Sequence, residues 1–232
     1  MTIRRGLALL LAALALAGCG VERGPAGTAR LWITRDRGAT LLLDTTVPAG
    51  ETLMRALRSH VKVDTRYGGR FVQAIDGVQG SASSQRDWFW FVNGLAGDTS
   101  AAEYRLHAGD VAWWDYRDWS KDPDLAVVVG AFPEPFLHGF DGRRRPVVVL
   151  YAPGRLTAAR TVARALGAQS VEPAGSTVPP GSDVFALATG PTRFAAVQRT
   201  PGSDSTSPVQ LTFAGDVRRL LAGGYRRRFS VP

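Results

Sequence analysis

The chain has 232 residues, of which 45% are hydrophobic and 21% are charged. This is the length and composition of a globular protein with one large or two small cores, not of a disordered chain. Arginine carries almost all of the net charge of +8, because the only lysines are Lys62 and Lys121. The basic residues are scattered apart from Arg143–Arg145 and Arg226–Arg228, and aromatic residues do not alternate with them. We therefore predict no nucleic-acid partner. The two triplets fit a solvated surface, or else contact with acidic envelope polymers or lipid headgroups.

The N-terminus has the pattern of an export signal. Arg4 and Arg5 precede the run GLALLLAALALAGC, which is too short to span a bilayer and has the length of a signal-peptide core. It ends at Leu16-Ala17-Gly18-Cys19, which resembles the lipobox of bacterial lipoproteins, where the cysteine is acylated and becomes the new N-terminus. We predict a signal peptide over residues 1–18 and palmitate at Cys19. The protein would then be anchored by lipid to the extracytoplasmic face of the cell membrane. An ordinary signal peptide with a chance cysteine is the alternative.

After a linker over residues 19–29, the pattern predicts a small domain over residues 30–121. RLWITRD and ATLLLDTTV are typical of a strand hairpin, and ETLMRALRSHV has apolar residues at helical spacing. GRFVQAIDGV, DWFWFVNG and the segment after the Gly109-Asp110 turn predict further strands. This order of strand, strand, helix and several strands indicates an α+β fold of the β-grasp type, a mixed sheet wrapped round one helix.

Four short motifs in this region carry a family resemblance. AGETLMRAL, YGGRFVQAIDGV, DWFWFVNG and AAEYRLHAGDVAWWDY occur in that order, and together they resemble the transcobalamin-type C-terminal domain. The resemblance implies a β-grasp domain that binds a soluble ligand, with cobalamin or another corrinoid as the candidate. We predict no cofactor other than this possible ligand.

The run DWFWFVNG allows two interpretations. Alternation along a strand places Trp88 and Trp90 on one face and Phe89 and Phe91 on the other. If the phenylalanines pack on the helix, the tryptophans face outward as a ligand platform; otherwise the strand is core on both faces. We predict that the ligand site consists of Trp88, Trp90, Asn93, Trp113, Trp114 and Tyr116.

Residues 125–232 are predicted to form a second, small α/β domain. LAVVVGAFPEPF, VVVLY, SDVFALAT and PVQLTF have the composition of strands. RLTAARTVARALG predicts a helix that ends at Gly167, and AGDVRRLLAGG predicts a closing helix. YAPGRLTAA lacks the ending of a phosphate-binding loop.

The residue types give little support for catalysis. His60, His107 and His138 are far apart in the chain, and no histidine or cysteine pair has metal-ligand spacing. We therefore predict no enzyme activity, no metal site and a membrane-tethered module that binds a small molecule, with a transport component as a further candidate partner. The alternative is an envelope module that binds a protein or polymer and takes no small molecule.

Overall fold

A computed structural model of the chain describes residues 27–200, 204 and 206–232. The predicted signal peptide, Cys19 and most of the predicted linker lie outside these residues. Thr28 and Ala29, which we assigned to the end of the linker, already belong to the first strand. The described part is a mixed α+β fold that is mostly strand, as the sequence predicts. None of its helices has the length and apolar character needed to cross a membrane.

The first sheet has five strands in the order β2-β1-β8-β6-β7. β1 and β8 run parallel at its centre, whereas β2 pairs with β1, and β6 with β8 and β7, in antiparallel fashion. The turn at Asn93-Gly94, where both residues have positive φ, joins β6 to the two-residue strand β7. The strands are β1 (Thr28–Arg35), β2 (Thr40–Pro48), β6 (Arg86–Val92), β7 (Leu95–Ala96) and β8 (Val111–Asp118).

Helix α1 (Leu53–Arg58) and a three-stranded sheet stand between β2 and β6 in the chain. The Thr52 side chain accepts a hydrogen bond from the Arg55 N–H, which caps the start of α1. The helix buries Leu53 and Leu57, as its spacing predicts, although it is shorter than the predicted segment. The small sheet has the order β3-β4-β5. Its strands are β3 (Val63–Arg66), β4 (Phe71–Ile75) and β5 (Val78–Gln79).

A second five-stranded sheet follows, in the order β10-β9-β11-β13-β12. All of its strands are parallel except the edge strand β12. Helix α2 buries one apolar stripe, and Gly167 ends it in the left-handed conformation, as predicted. The elements are β9 (Val147–Tyr151), α2 (Leu156–Leu166), β10 (Ser170–Pro173), β11 (Asp183–Leu187), β12 (Arg193–Gln198), β13 (Val209–Ala214) and α3 (Val217–Leu221).

The segment between the two sheets differs from the prediction. LAVVVGAFPEPF forms turns, and its one strand-like pairing is the bridge from Val127 to Leu95. Pro133 and Pro135 lack the N–H groups that a strand ladder needs. From Val127 to Phe136 its apolar side chains are nevertheless mostly buried, and Val129, Phe132 and Phe136 belong to a hydrophobic cluster with residues of both sheets.

One hydrophobic cluster runs through both predicted domains. It contains Leu53 and Trp88 on one side and Phe185 and Phe213 on the other. The predicted boundary at residues 121–125 therefore lies beside a shared core, and the division into two domains stays a prediction.

Candidate ligand-binding cleft

The aromatic residues of β6 enter two different hydrophobic clusters. Trp88 lies in the large cluster that also holds Leu53 and Leu57 of α1. Phe91 is fully buried in a smaller cluster, and Phe89 packs against it. An exposed tryptophan platform required the phenylalanines to pack on α1. This condition is not met, because Trp88 rather than Phe91 shares the cluster of α1.

A C-terminal segment of the chain covers the phenylalanine face. Phe229 makes edge-to-face contacts with Trp113 and Phe91, with ring centroids 5.1 and 5.3 Å apart. Trp32 adds a further edge contact to Trp113 at 5.6 Å. The Trp113 indole N–H donates to Thr34 Oγ1 at 2.7 Å, so this ring is satisfied within the core.

The six predicted site residues do not form one exposed platform. Five are buried and Trp90 is half-buried, and Trp113 lies in a different cluster from Trp88 and Trp114. The five buried residues are Trp88, Asn93, Trp113, Trp114 and Tyr116. That these residues contact a ligand stays a prediction.

Asn93 and Tyr116 use their polar atoms inside the fold. The Asn93 amide donates to Asp110 Oδ1 and to the Gly139 carbonyl, both at 2.8 Å, and its oxygen accepts from Val111 N–H. The Tyr116 hydroxyl donates to the Gln79 carbonyl at 3.0 Å. These bonds join the first sheet to neighbouring segments, so both side chains stabilise the fold without any ligand.

Trp88, Trp90 and Trp114 line a cleft of about 230 Å³ between β4 and β6, which we call the β4–β6 cleft. The cleft thus brings together three of the six predicted residues. Its other walls come from β4, from β6 and from the segment after β7. They are Arg70, Phe71, Val72, Asp87, Phe89, Ala96, Gly97, Thr99 and Ala101.

Trp90 is held in the cleft by close packing on two sides. Its ring lies 5.7 Å from that of Tyr104, at an angle of 55°. On the other side the indole lies against Gly97, where an added Cβ would come within 2.0 Å of the ring. The Gly97 N–H also donates to the Trp90 carbonyl at 3.0 Å. A residue larger than glycine at position 97 would therefore displace the Trp90 ring.

Trp114 carries a buried donor without a partner. Its side chain is 2% exposed, and its Nε1 makes no hydrogen bond to any residue that the structure describes. By contrast, the indole N–H of Trp88 donates to the Val78 carbonyl at 2.8 Å. An unsatisfied buried donor costs about 1–3 kcal/mol. Trp114 lines the cleft, but its Nε1 atom is itself buried.

Asp87 is the acidic residue of the cleft wall. Its Oδ1 accepts the Trp88 backbone N–H at 2.8 Å, at a place where no described strand pairs with the outer edge of β6. Burial raises the pKa of the Asp87 carboxyl, while the Trp88 N–H and the charge of Arg66 act in the opposite direction. The carboxylate is therefore a partly desolvated acceptor beside aromatic rings.

A second, wider groove continues from the cleft. It measures about 690 Å³, shares Phe71 and Asp87 with the cleft, and is also lined by Tyr67; we call it the Tyr67 groove. Tyr67 is 77% exposed and Phe71 is 39% exposed, with their rings edge to face at 6.2 Å. Sequence reasoning missed both residues. The signal lay in Tyr67-Gly68-Gly69, a turn that places an aromatic residue at a positive φ beside a strand.

The titratable residues elsewhere in the first sheet serve mainly as local partners. Asp115 accepts from the N–H groups of Arg37 and Gly38, and Asp118 accepts from that of Ser120. Across residues 27–200, 204 and 206–232, no three His, Cys, Asp or Glu side chains are grouped so as to hold a metal.

The comparison with protein families matches residues 50–118 to a domain of unknown function, DUF4430. The match covers α1, the three-stranded sheet and the strands β6 to β8, and so includes the whole β4–β6 cleft. It spans less than half of the chain. No curated protein matches the sequence.

Two solved structures are similar over part of the chain. A protein from Ruminococcus gnavus ATCC 29149, provisionally described as metal-binding, is 18% identical with a TM-score of 0.34, covering 40% of this chain and 97% of its own. Haptocorrin in complex with Cbi is 14% identical with a TM-score of 0.31, covering 39% of this chain and 26% of its own. Similarity at this level is too low to transfer a site or a ligand.

Proposed function

We propose that the protein is a lipid-anchored, extracytoplasmic module that binds a small molecule in the β4–β6 cleft and does no chemistry on it. The observation that carries this proposal is the cleft itself. It places the half-buried Trp90, the ring of Trp114 and the carboxylate of Asp87 around one space.

The proposed anchor rests on the sequence. The lipobox-like tetrad ends at Cys19, the single cysteine of the chain. Two acyl chains on one residue hold a protein at a membrane far more firmly than one chain does. The binding module would therefore stand on the outer face of the membrane, where it meets imported or secreted molecules.

The dimensions of the site restrict the ligand. A cleft of about 230 Å³ is smaller than typical ligand pockets of roughly 300–1,000 Å³. It would take one planar or apolar group of the ligand, whose remainder would lie along the Tyr67 groove of about 690 Å³. Stacking on Trp90 and a contact with the ring of Phe71 would supply most of the affinity.

A corrinoid is the first ligand to test, because the ordered sequence motifs resemble the transcobalamin-type domain. The experiment is a titration of the full chain in detergent with cobalamin, with a corrinoid precursor and with an unrelated planar aromatic compound. Tryptophan fluorescence and the ¹H–¹⁵N signal of the Trp114 indole would both be followed. We expect saturable binding of one of these compounds, with a shift of the Trp114 signal. A saturable change that leaves the Trp114 signal in place, or no saturation at all, would contradict the proposal.

A second function is favoured by a different surface. β2 is an edge strand of the first sheet, and its Leu41 and Leu42 are 44% and 49% exposed. Exposed apolar residues on a sheet edge are suited to pairing with another chain. If the protein is instead an envelope interaction module, Leu42→Lys should abolish its retention of an envelope protein, and no small molecule should titrate. Unchanged retention would exclude this edge.

A further inference from the structure

A second cavity, of about 280 Å³, lies at the junction of the two sheets and away from the β4–β6 cleft. Its walls come from β7, from the turn around Phe140, from the Arg143–Arg145 triplet, from the start of β11 and from the segment before β13. Four separate parts of the chain therefore have to fold before this space exists, because the Phe140 turn and the arginine triplet form one segment. It shares no lining residue with the β4–β6 cleft.

Asp183 is the buried acidic group of this cavity. The residue is 3% exposed, and its Oδ1 accepts the Val209 N–H at 2.9 Å. Its other carboxylate oxygen has no hydrogen-bond partner among the residues that the structure describes. Burial raises the pKa of Asp183 to about 6, against the effects of the Val209 N–H and of the Arg145 and Arg199 charges. A buried acceptor of this kind gains most from a cationic or hydrogen-bond-donating group brought next to it.

The three arginines of the wall differ in how they are used. Arg144 donates to the carbonyls of Phe136 and Leu166, and Arg145 donates to the carbonyl of Thr206. These two guanidinium groups are held by the fold. Arg143 is exposed, and its side chain makes no hydrogen bond or ion pair to any described residue. It is the guanidinium of this wall that remains available for an anionic group.

The remainder of the wall is apolar or hydroxylic. Leu95, Phe140 and Pro146 contribute apolar surface, and Ser207 contributes a hydroxyl. An anion alone would meet the carboxylate of Asp183, and a cation alone would leave Arg143 without a partner. The cavity therefore combines one negative group, one positive group and an apolar patch in a volume that suits only a small molecule.

We infer that this junction cavity binds a small amphoteric ligand of the class of free apolar amino acids. The ammonium group would bind Asp183, the carboxylate would bind Arg143, and the side chain would lie against Leu95 and Phe140. The role of the Arg143–Arg145 triplet is then divided, because two members hold the cavity and one binds the ligand.

The test is calorimetric titration of the full chain in detergent with L-leucine as the probe. 4-Methylpentanoate, which lacks the ammonium group, and isoamylamine, which lacks the carboxylate, are the two matched analogues. Loss of one hydrogen bond between charged groups lowers the binding affinity by a factor of about ten or more. We therefore expect each analogue to bind at least about tenfold more weakly than leucine. Equal binding of leucine and 4-methylpentanoate would reduce the cavity to an anion site and overturn the inference, as would no binding of leucine.

Two variants assign the binding to the cavity. Arg143→Gln changes an exposed side chain without partners, and we expect it to weaken leucine binding about tenfold with no change in the melting temperature. Arg160→Gln, on the exposed side of α2, is the control and should bind leucine as the wild type does. Asp183→Asn should weaken binding at least as much as Arg143→Gln. If that variant fails to fold, Arg143→Gln still decides, because leucine binding unaffected by it would overturn the inference.

Discussion

The ring of Phe229 lies edge-on to the indole of Trp113, with 5.1 Å between the ring centroids. Trp113 belongs to β8 of the first sheet, whereas Phe229 follows the last helix of the chain. Arg227, in the same C-terminal segment, places its guanidinium 5.6 Å from the ring of Trp32 and pairs with Asp44 at 3.2 Å. The C-terminal segment therefore completes the hydrophobic core beside β1 and β8.

Phe229→Ala should destabilise the whole protein. The ring is nearly fully buried between Trp113 and Phe91, so its removal leaves a cavity and should cost about 3–5 kcal/mol of unfolding free energy. Urea denaturation measures this, with Leu221→Ala, at a more exposed apolar residue, as the control that should change stability far less. A loss below about 1 kcal/mol for Phe229→Ala would mean that the contact contributes little.

The predicted boundary between domains is tested by a fragment. If residues 30–121 form a domain, residues 28–124 should unfold cooperatively, with marginal stability because a small core buries little surface. Loss of Phe229 and Val128 would also uncover Phe91 and Trp113. We expect a melting midpoint well below that of the full chain. A fragment with no cooperative transition would show that the two predicted domains are one.

Asp183 should make the protein less stable as the pH rises, whereas a salt-bridged carboxylate makes a protein more stable as the pH rises. Its pKa is raised from 3.8 to about 6 in the folded protein, so the folded state holds a proton that the unfolded state releases. Its contribution is therefore most favourable below about pH 4 and is lost as the pH rises through about 6, by about 2–3 kcal/mol. Unfolding free energies of wild type and Asp183→Asn, compared from about pH 4 to pH 7.5, should diverge by that amount. A difference that stays constant with pH would contradict this assignment.

Cys19→Ala should release the protein from the membrane. Acylation requires the Cys19 sulfur, and without acyl chains the described residues offer no helix that could cross a bilayer. Detergent-phase partitioning of the variant and the wild type measures the change, with Met54→Leu as an internal control that keeps the cysteine. If the Cys19→Ala variant partitions into the detergent phase as the wild type does, the lipoprotein proposal is wrong.

Much of the fold could be predicted from local patterns. The hairpin of β1 and β2, the helices α1 and α2 and the strands β6, β8 and β9 are confirmed, because alternation, helical spacing and turn residues are local signals. The short strands β3 and β10 and the edge strand β12 were missed. The apolar run before Phe136 was predicted as a strand, yet it fills the junction as turns, since burial alone makes a run apolar whatever its backbone conformation.

The site was harder to predict than the fold. Alternation showed that Trp88 and Trp90 share a face, but it could not show which face α1 would cover. That depends on Phe229, which is far away in the chain and closes the opposite face. The positions of Tyr67 and Phe71 beside the cleft could be identified only from the structure, which places β4 next to β6. The sequence therefore indicated some residues of the cleft but not how the fold arranges them.

The proposed stacking of a ligand on Trp90 in the β4–β6 cleft is tested most directly by the affinity of the Trp90→Ala variant. Trp119→Ala is the matched control, because Trp119 is also a half-buried tryptophan and does not line the cleft. With the compound that saturates the wild type, calorimetry should show binding at least tenfold weaker for Trp90→Ala, since loss of a stacked ring costs roughly 1.4 kcal/mol or more. Trp119→Ala should bind as the wild type does, and both variants should still melt cooperatively. Wild-type affinity in a folded Trp90→Ala variant would contradict the claim.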